Sequence, residues 1–218
     1  PTGVDPSREQ WGAIADLCAS RGLIPFFDVA YQGFASGDLD ADAWAPRFFA
    51  HEKGLELLVA QSYSKNLGLY GERVGALNFV LADPATAGRV LSQAKRIARA
   101  LYSNPPAHGA RIVAAVVGDP ALFGQWKVEM ATMAGRIKAV RTRLAAELAA
   151  AAPGRDWGFV TRQIGMFSFT GLTPPQVARM TAVHHVYMTG DGRISLAGLS
   201  EAKAPYLAAA MADVIKEA

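Results

Sequence analysis

Three apolar runs, LIPFFDV (residues 23–29), LELLVA (55–60) and VGALNFVL (74–81), most limit what this chain can fold into. Their apolarity is continuous. A strand that buries one face alternates polar and apolar residues, so continuous runs predict strands covered on both faces, as in a mostly parallel sheet flanked by helices. The intervening segments carry helix signals. Asp5-Pro6 reads as an N-cap followed by proline at the first helical position, Trp11, Ile14, Ala15 and Cys18 recur at helical spacing, and Gly22 is a stop. Asp83-Pro84 opens a helix with an apolar stripe through Val90, Leu91, Ala94, Ile97 and Leu101. After the break SNPPAHGAR (103–111), Asp119-Pro120 starts a long helical region that Pro153-Gly154 ends. Its expected inner face is Leu122, Trp126, Met133, Ile137, Val140, Leu144 and Leu148.

From residue 155 the pattern changes. DWGFVTRQIGMFSFTG reads as strand and turn, TPPQVARMTAVHH as a short helix, VYMTGDGRISLAG as a hairpin turning at GDG, and a last helix starts near Ser200. The expected organisation is an α/β unit over 1–130 followed by a small α+β unit over 131–218.

Composition excludes several classes. The net charge is only +3. The densest basic segment, GRIKAVRTR (135–143), lacks the interleaved aromatics of a nucleic-acid surface and reads as a solvated helix face. No apolar run approaches the roughly 18 residues of a membrane span. The opening PTGVDPSREQW shows no signal-peptide pattern, and the single cysteine, Cys18, excludes an internal disulfide. These features lead to an expectation of a cytoplasmic protein with Cys18 packed on the inner face of a helix. His184-His185 is assigned no metal, because adjacent residues on a strand point to opposite faces and no second ligand pair accompanies them.

In an open α/β sheet, ligands bind beyond the carboxyl ends of the strands. Asp28 and Tyr31 follow the first run, Ser62, Ser64 and Lys65 follow the second, and Arg73 precedes the third. Taken singly, each has an ordinary reading as a cap, a core residue or a solvated charge. Together they suit one need. A lysine amine attacks an aldehyde when its ammonium form is destabilised, and the best-known such partner is pyridoxal phosphate. That cofactor needs an acid for its ring nitrogen (Asp28), a donor for its phenolic oxygen (Tyr31) and an anion grip for its phosphate (Ser62, Ser64 and Arg73).

The landmarks PTGVDPSREQW, FDVAYQGFASG, SYSKNLGLYGERVG, YSNPPAHGA, GMFSFTGL and GRISLAGL occur in this order. With them the chain resembles the aspartate and aromatic amino acid aminotransferases, dimeric enzymes of the fold-type I pyridoxal phosphate class. The resemblance implies the second half of the large cofactor-binding α/β domain followed by the small C-terminal domain. It implies that Lys65 forms the Schiff base and then serves as the base at the substrate α-carbon, and that Asp28 keeps the ring nitrogen protonated. It further implies that Arg193 binds the substrate α-carboxylate, that Phe167 lines the substrate pocket, and that Arg99 reaches the neighbouring subunit's site in a homodimer. On spacing alone, Arg99 is a polar position beside an apolar stripe, Arg193 a hairpin residue and Phe167 as much core as pocket wall.

The implied reaction is ping-pong transamination between an aromatic or dicarboxylic amino acid and 2-oxoglutarate. RGLIPFFDVAYQGFASG and LYGERVG lean towards the broad aromatic branch, and Arg99 towards dicarboxylates. The alternatives are a strict aspartate aminotransferase, a lyase on the same fold, and an aminotransferase-like domain of a transcription regulator. The family's opening motif is Asn-Pro-Thr-Gly, whereas this chain starts at Pro1. The 218 residues therefore read as the C-terminal half of a longer enzyme, expected to be poorly soluble and inactive alone.

Overall fold

In the computed structural model, residues 2–216 are described; Pro1, where the first landmark begins, lies outside them. The chain divides into two units, residues 6–131 and residues 1–5 with 132–218.

The first unit begins with helix α1 (Arg8–Arg21). Its start differs from expectation. Ser7 rather than Asp5 is the N-cap, because Ser7 and Gln10 close a reciprocal capping box. Gly22 ends the helix in the left-handed conformation, as expected. Strand β1 (Phe26–Val29) pairs in parallel with β2 (Leu57–Ser62), and β2 pairs antiparallel with β3 (Gly75–Val80). The expected parallel order thus holds for the first pair only. A parallel return needs a crossover of a dozen or more residues, usually a helix. Residues 63–74 supply no more than a 3₁₀ turn at Tyr70–Glu72, so the chain doubles back.

Between β1 and β2 lie two single-turn helices, α2 (Leu39–Asp42) and α3 (Trp44–Arg47), and a π-helical turn, Phe48–Glu52. They deliver Phe49 to one face of the sheet. There Ala15, Phe49 and Leu57 form a buried cluster with Trp11, Phe27, Val59 and a half-buried Cys18 around it. Phe27 and Phe49 meet edge-on at 5.0 Å between ring centres, and Trp11 contacts both. The other face is bare within the described residues: Phe26, Leu77 and Phe79 are exposed.

Helix α4 (Pro84–Tyr102) starts at the Asp83 cap, whose carboxylate accepts the Thr86 N–H at 2.8 Å. Its apolar stripe is only partly covered: Val90 and Ala94 are half-buried, whereas Leu91, Ile97 and Leu101 are exposed. Helix α5 (His108–Gly118), which the break signal of SNPPAHGAR obscured, follows. The long helical region is one helix, α6 (Pro120–Ala151).

In the second unit α6 buries Ala134, Ile137, Val140, Leu144 and Leu148, while Met133 is exposed. Leu122, expected on the inner face in the other unit, is exposed too. The segment read as strand and turn forms helix α7 (Phe159–Arg162) and strand β4 (Phe167–Phe169). Helix α8 (Pro174–His184) follows, and His185 closes it in the left-handed conformation. The two histidines therefore end a helix and do not lie on a strand; His184 Nε2 meets Asp213 at 2.8 Å. The expected GDG hairpin does not form. Strand β5 (Arg193–Ser195) pairs antiparallel with β4, and Thr189–Gly192 is only a turn. Pairing with β4 buries Ser168 and Ile194 back to back, which a local hairpin would leave uncovered. Helix α9 (Ala204–Lys216) closes the core with Leu207, Met211 and Val214.

Candidate functional site

Strand register brings four of the expected residues together. Asp28 pairs with Ala60 across β1 and β2, and Ser62 pairs with Gly75 across β2 and β3. The carboxyl ends of β1 and β2 thus meet the start of β3 at one sheet edge. Asp28, Ser62, Ser64 and Arg73 line a pocket of about 250 Å³ there, together with Ala60, Gln61, Val74 and Gly75. Gly75 is needed for this closure, because a Cβ would stand 2.6 Å from the Gln61 carbonyl oxygen.

The loop after β2 is tightly folded. Ser64, buried, donates its N–H to Ser62 Oγ at 3.2 Å. Tyr63 N–H donates to Val74 O, and the Lys65 carbonyl accepts from Gly68 N–H in a turn that uses a positive φ at Gly68. Lys65 does not line the pocket; its Nζ stands 5.0 Å from the centre of the Tyr31 ring. Asn66, 3% exposed, anchors the next position. Its carbonyl accepts Trp126 Nε1–H at 2.8 Å and its Nδ2 reaches Gln32 O at 3.5 Å, while Oδ1 is buried without a partner. Beyond Tyr31, the Asp42 carboxylate accepts the N–H groups of Gly33, Ala35 and Ser36 and fixes that loop.

Arg73 holds a left-handed backbone, φ 51°, which is costly for a residue with a Cβ. Two contacts impose it. Its Nη1 donates to Tyr70 O at 3.1 Å, and α5 presses Gly109 against Glu72 and Val74, where a Cβ would come within 2.8 Å and 3.1 Å of their Cβ atoms.

The other expected residues are not among those that line this pocket. Arg99 is exposed on α4 and donates to Ser103 Oγ at 2.7 Å. Arg193 and Phe167 belong to the second unit, on one face of the β4–β5 pair, with the guanidinium carbon 5.0 Å from the ring centre. Gly192 delivers Arg193 from a φ of +83°, with no room for a Cβ against Leu172 O at 2.9 Å.

Several supporting residues carried no sequence signal. Asp42, Asn66 and Gly109 act through partners elsewhere in the chain, as do Arg136 and Arg141, and Trp126, expected only on the inner face of its helix, donates to Asn66 O. The solvated reading of GRIKAVRTR fails at Arg141, which is buried and bonds three backbone carbonyls. Burial lowers its pKa to about 10. Among the described residues no group of three or more His, Cys, Asp or Glu could hold a metal ion, and no helix is long and apolar enough to cross a membrane.

The mixed α/β unit, with Asp28, Ser62, Ser64 and Arg73 around one pocket, and the α+β unit that follows it match the fold of the fold-type I transferases. The family model for class I and II aminotransferases matches residues 1–211, and the chain belongs to that family. It is 62% identical over 214 residues to a mitochondrial aspartate aminotransferase P2 of Lupinus angustifolius, covering 98% of this chain and 47% of that protein. The psychrophilic aromatic amino acid aminotransferase of Psychrobacter sp. B6, cocrystallised with aspartic acid, superposes with a TM-score of 0.95 at 48% identity, covering 99% of this chain and 54% of that one. The aromatic amino acid aminotransferase of Burkholderia pseudomallei, solved covalently bound to pyridoxal phosphate, superposes with a TM-score of 0.94 at 45% identity, covering 98% and 53%. The chain spans about half the length of the relatives it matches.

Proposed function

We propose that these residues belong to a longer polypeptide that catalyses ping-pong transamination between a dicarboxylic or aromatic amino acid and 2-oxoglutarate. The observation that carries this reading is the convergence of Asp28, Ser62, Ser64 and Arg73 on one pocket, with Lys65 next along the chain from Ser64. The donor set fits pyridoxal phosphate: a carboxylate on one wall suits a protonated ring nitrogen, and two hydroxyls with a guanidinium suit a phosphate. When bound, that cofactor supplies an electron sink for the substrate α-carbon.

The remaining work falls to the chain's own side chains. Lys65 would hold the cofactor through its Nζ and, when its amine is free, would move the proton at the substrate α-carbon. Asp28 would hold the ring-nitrogen proton, and Tyr31 would donate to the phenolic oxygen. Arg193 binds the α-carboxylate as a planar fork, and Phe167 lines the substrate pocket. Arg99 serves a neighbouring subunit's site in a homodimer, a reading supported by its exposure and by the partly uncovered stripe of α4. The boundary near residue 130 separates the cofactor-binding part from the small domain. Cys18, the single cysteine, suits a reducing compartment, in our reading the cytoplasm.

The names of both kinds of relative support a broad enzyme, whereas the 62% identity to an aspartate aminotransferase favours strict aspartate specificity. Steady-state kcat/KM for aspartate and for phenylalanine, measured on the full-length protein with 2-oxoglutarate, separates the two. A ratio under about a hundred supports the broad enzyme, and one above about a thousand, roughly 4 kcal/mol, supports the strict one. Absence of turnover with either amino acid contradicts both.

A further inference from the structure

Among the described residues the buried polar set contains one charged side chain, Arg141, 3% exposed. A buried cation is costly unless it is paired and hydrogen-bonded. No carboxylate meets this one among the described residues. Instead Nη1 donates to Val160 O at 2.7 Å, and Nη2 donates to Gly165 O at 2.9 Å and to Phe167 O at 2.5 Å. Nε is buried without an acceptor. As space filling alone, an apolar side chain would serve this position better. What the guanidinium adds is a grip on three carbonyls of one irregular stretch, from α7 to the first residue of β4. Residues 163–166 have no ladder of their own.

The stretch is also tied by two backbone bonds, Ile164 N–H to Gly3 O at 2.7 Å and Leu196 N–H to Met166 O at 2.8 Å, and by the Gln163 side chain, which accepts from Ser168 Oγ and Phe169 N–H and donates to Phe169 O. Arg136, on the same helix, donates to Ala197 O at 2.7 Å and Leu199 O at 3.2 Å, just past β5. Helix α6 therefore clamps the entrance of β4 and the exit of β5. Between the clamps, the Phe167 ring carries the Arg193 guanidinium against it. Phe169 is the residue directly opposite Arg193, so Phe167 reaches it diagonally on the same face.

We propose that Arg141 is a positioning residue for Arg193: by holding the Phe167 carbonyl, it fixes the ring against which the Arg193 fork lies, and so sets the affinity of that fork for a substrate carboxylate. Arg141 itself touches no substrate. The proposal rests on the reading of Arg193 as the carboxylate ligand. A planar fork binds a carboxylate best when its orientation is set beforehand, and the ring is what sets it.

The test uses the full-length protein with cofactor and compares Arg141→Met, Arg141→Lys, Arg193→Ala and the double variant R141M/R193A. The readouts are KM and kcat for aspartate, the Kd of succinate as an unreactive dicarboxylate, and the thermal midpoint. R141M is expected to raise KM and the succinate Kd about tenfold, the scale of one lost anchoring contact, with kcat within about threefold of wild type. R141K, which keeps the charge but not the planar fork, falls between. In the R193A background R141M adds nothing further to the succinate Kd. Should R141M not fold, R141K and R141K/R193A carry the same comparison. Unchanged KM and Kd with only a lower thermal midpoint, or additive effects in the double variant, overturn the proposal. If R193A itself leaves KM and Kd unchanged, the reading of Arg193 fails, and the proposal with it. If R193A raises both and neither Arg141 variant does, the proposal alone fails.

Discussion

Lys65 Nζ stands 5.0 Å from the centre of the Tyr31 ring, and Lys65 follows Ser64, which lines the pocket with Asp28, Ser62 and Arg73. A cation over an aromatic face is stabilised by about 0.5–2 kcal/mol. Tyr31→Phe keeps that face and loses only the hydroxyl, whereas Tyr31→Leu loses both. Tyr31→Phe is expected to retain most of the cofactor affinity, with Tyr31→Leu weaker by a further factor of about ten or less. Equilibrium titration with pyridoxal phosphate measures both. Equal losses would show that the ring does not position Lys65.

The strained backbone of Arg73 separates stability from binding. Replacing a left-handed non-glycine residue with glycine relieves roughly 1 kcal/mol. Arg73→Gly should therefore leave the cofactor-free protein as stable as wild type or slightly more so in urea. Its affinity for pyridoxal phosphate should fall by about tenfold or more, because the guanidinium is gone. Unchanged affinity would remove Arg73 from the phosphate grip.

Gly109 tests how that strain is imposed. A Cβ there would approach the Glu72 and Val74 side chains to 2.8 Å and 3.1 Å, so α5 must back away from residues 72–74. Gly109→Ala is expected to cost about 1–3 kcal/mol in chemical denaturation, the usual range for overpacking. It should also weaken cofactor binding although the residue lies outside the pocket. A stability loss with full cofactor affinity would mean that Arg73 holds its conformation without α5.

The Asp213 carboxyl is held below its ordinary pKa by hydrogen bonds from His184 and Arg179, at 2.8 Å and 3.1 Å. A carboxyl lowered in the fold contributes stability above its unfolded pKa, about 3.9, and loses that contribution as pH falls through the folded value. Asp213→Asn should therefore be less stable than wild type near neutral pH, and the gap should close as pH falls below about 4. A gap constant with pH in thermal melts would exclude this carboxylate as the source.

The sheet edge was legible because its chemistry sits where continuous apolar runs stop. Asp28 lies near the end of one such run and Ser62, Ser64 and Arg73 flank the others, so pairing of the runs brings their ends together. The direction of β3 was not legible from apolarity, which says nothing of the connection; the short 63–74 segment decides it. The hairpin at GDG was misread because a turn signal is local, whereas the partner of β5 is set by the joint burial of Ser168 and Ile194. Arg136 and Arg141 read as solvated charges for a similar reason: their acceptors are backbone carbonyls far along the chain, and carbonyls leave no mark in a sequence. The apolar stripe of α4 is legible from periodicity, but periodicity does not say what covers it, and within the described residues Leu91, Ile97 and Leu101 stay exposed.

The central claim is that Lys65 carries the cofactor. The most direct test is borohydride reduction of the full-length protein with pyridoxal phosphate, followed by peptide mass spectrometry, on wild type and Lys65→Ala. The label is expected on the peptide containing Lys65 in the wild type and absent from the variant, with transamination lower by about a thousandfold or more in Lys65→Ala. A label on another lysine, or near-normal turnover by the variant, would contradict the account.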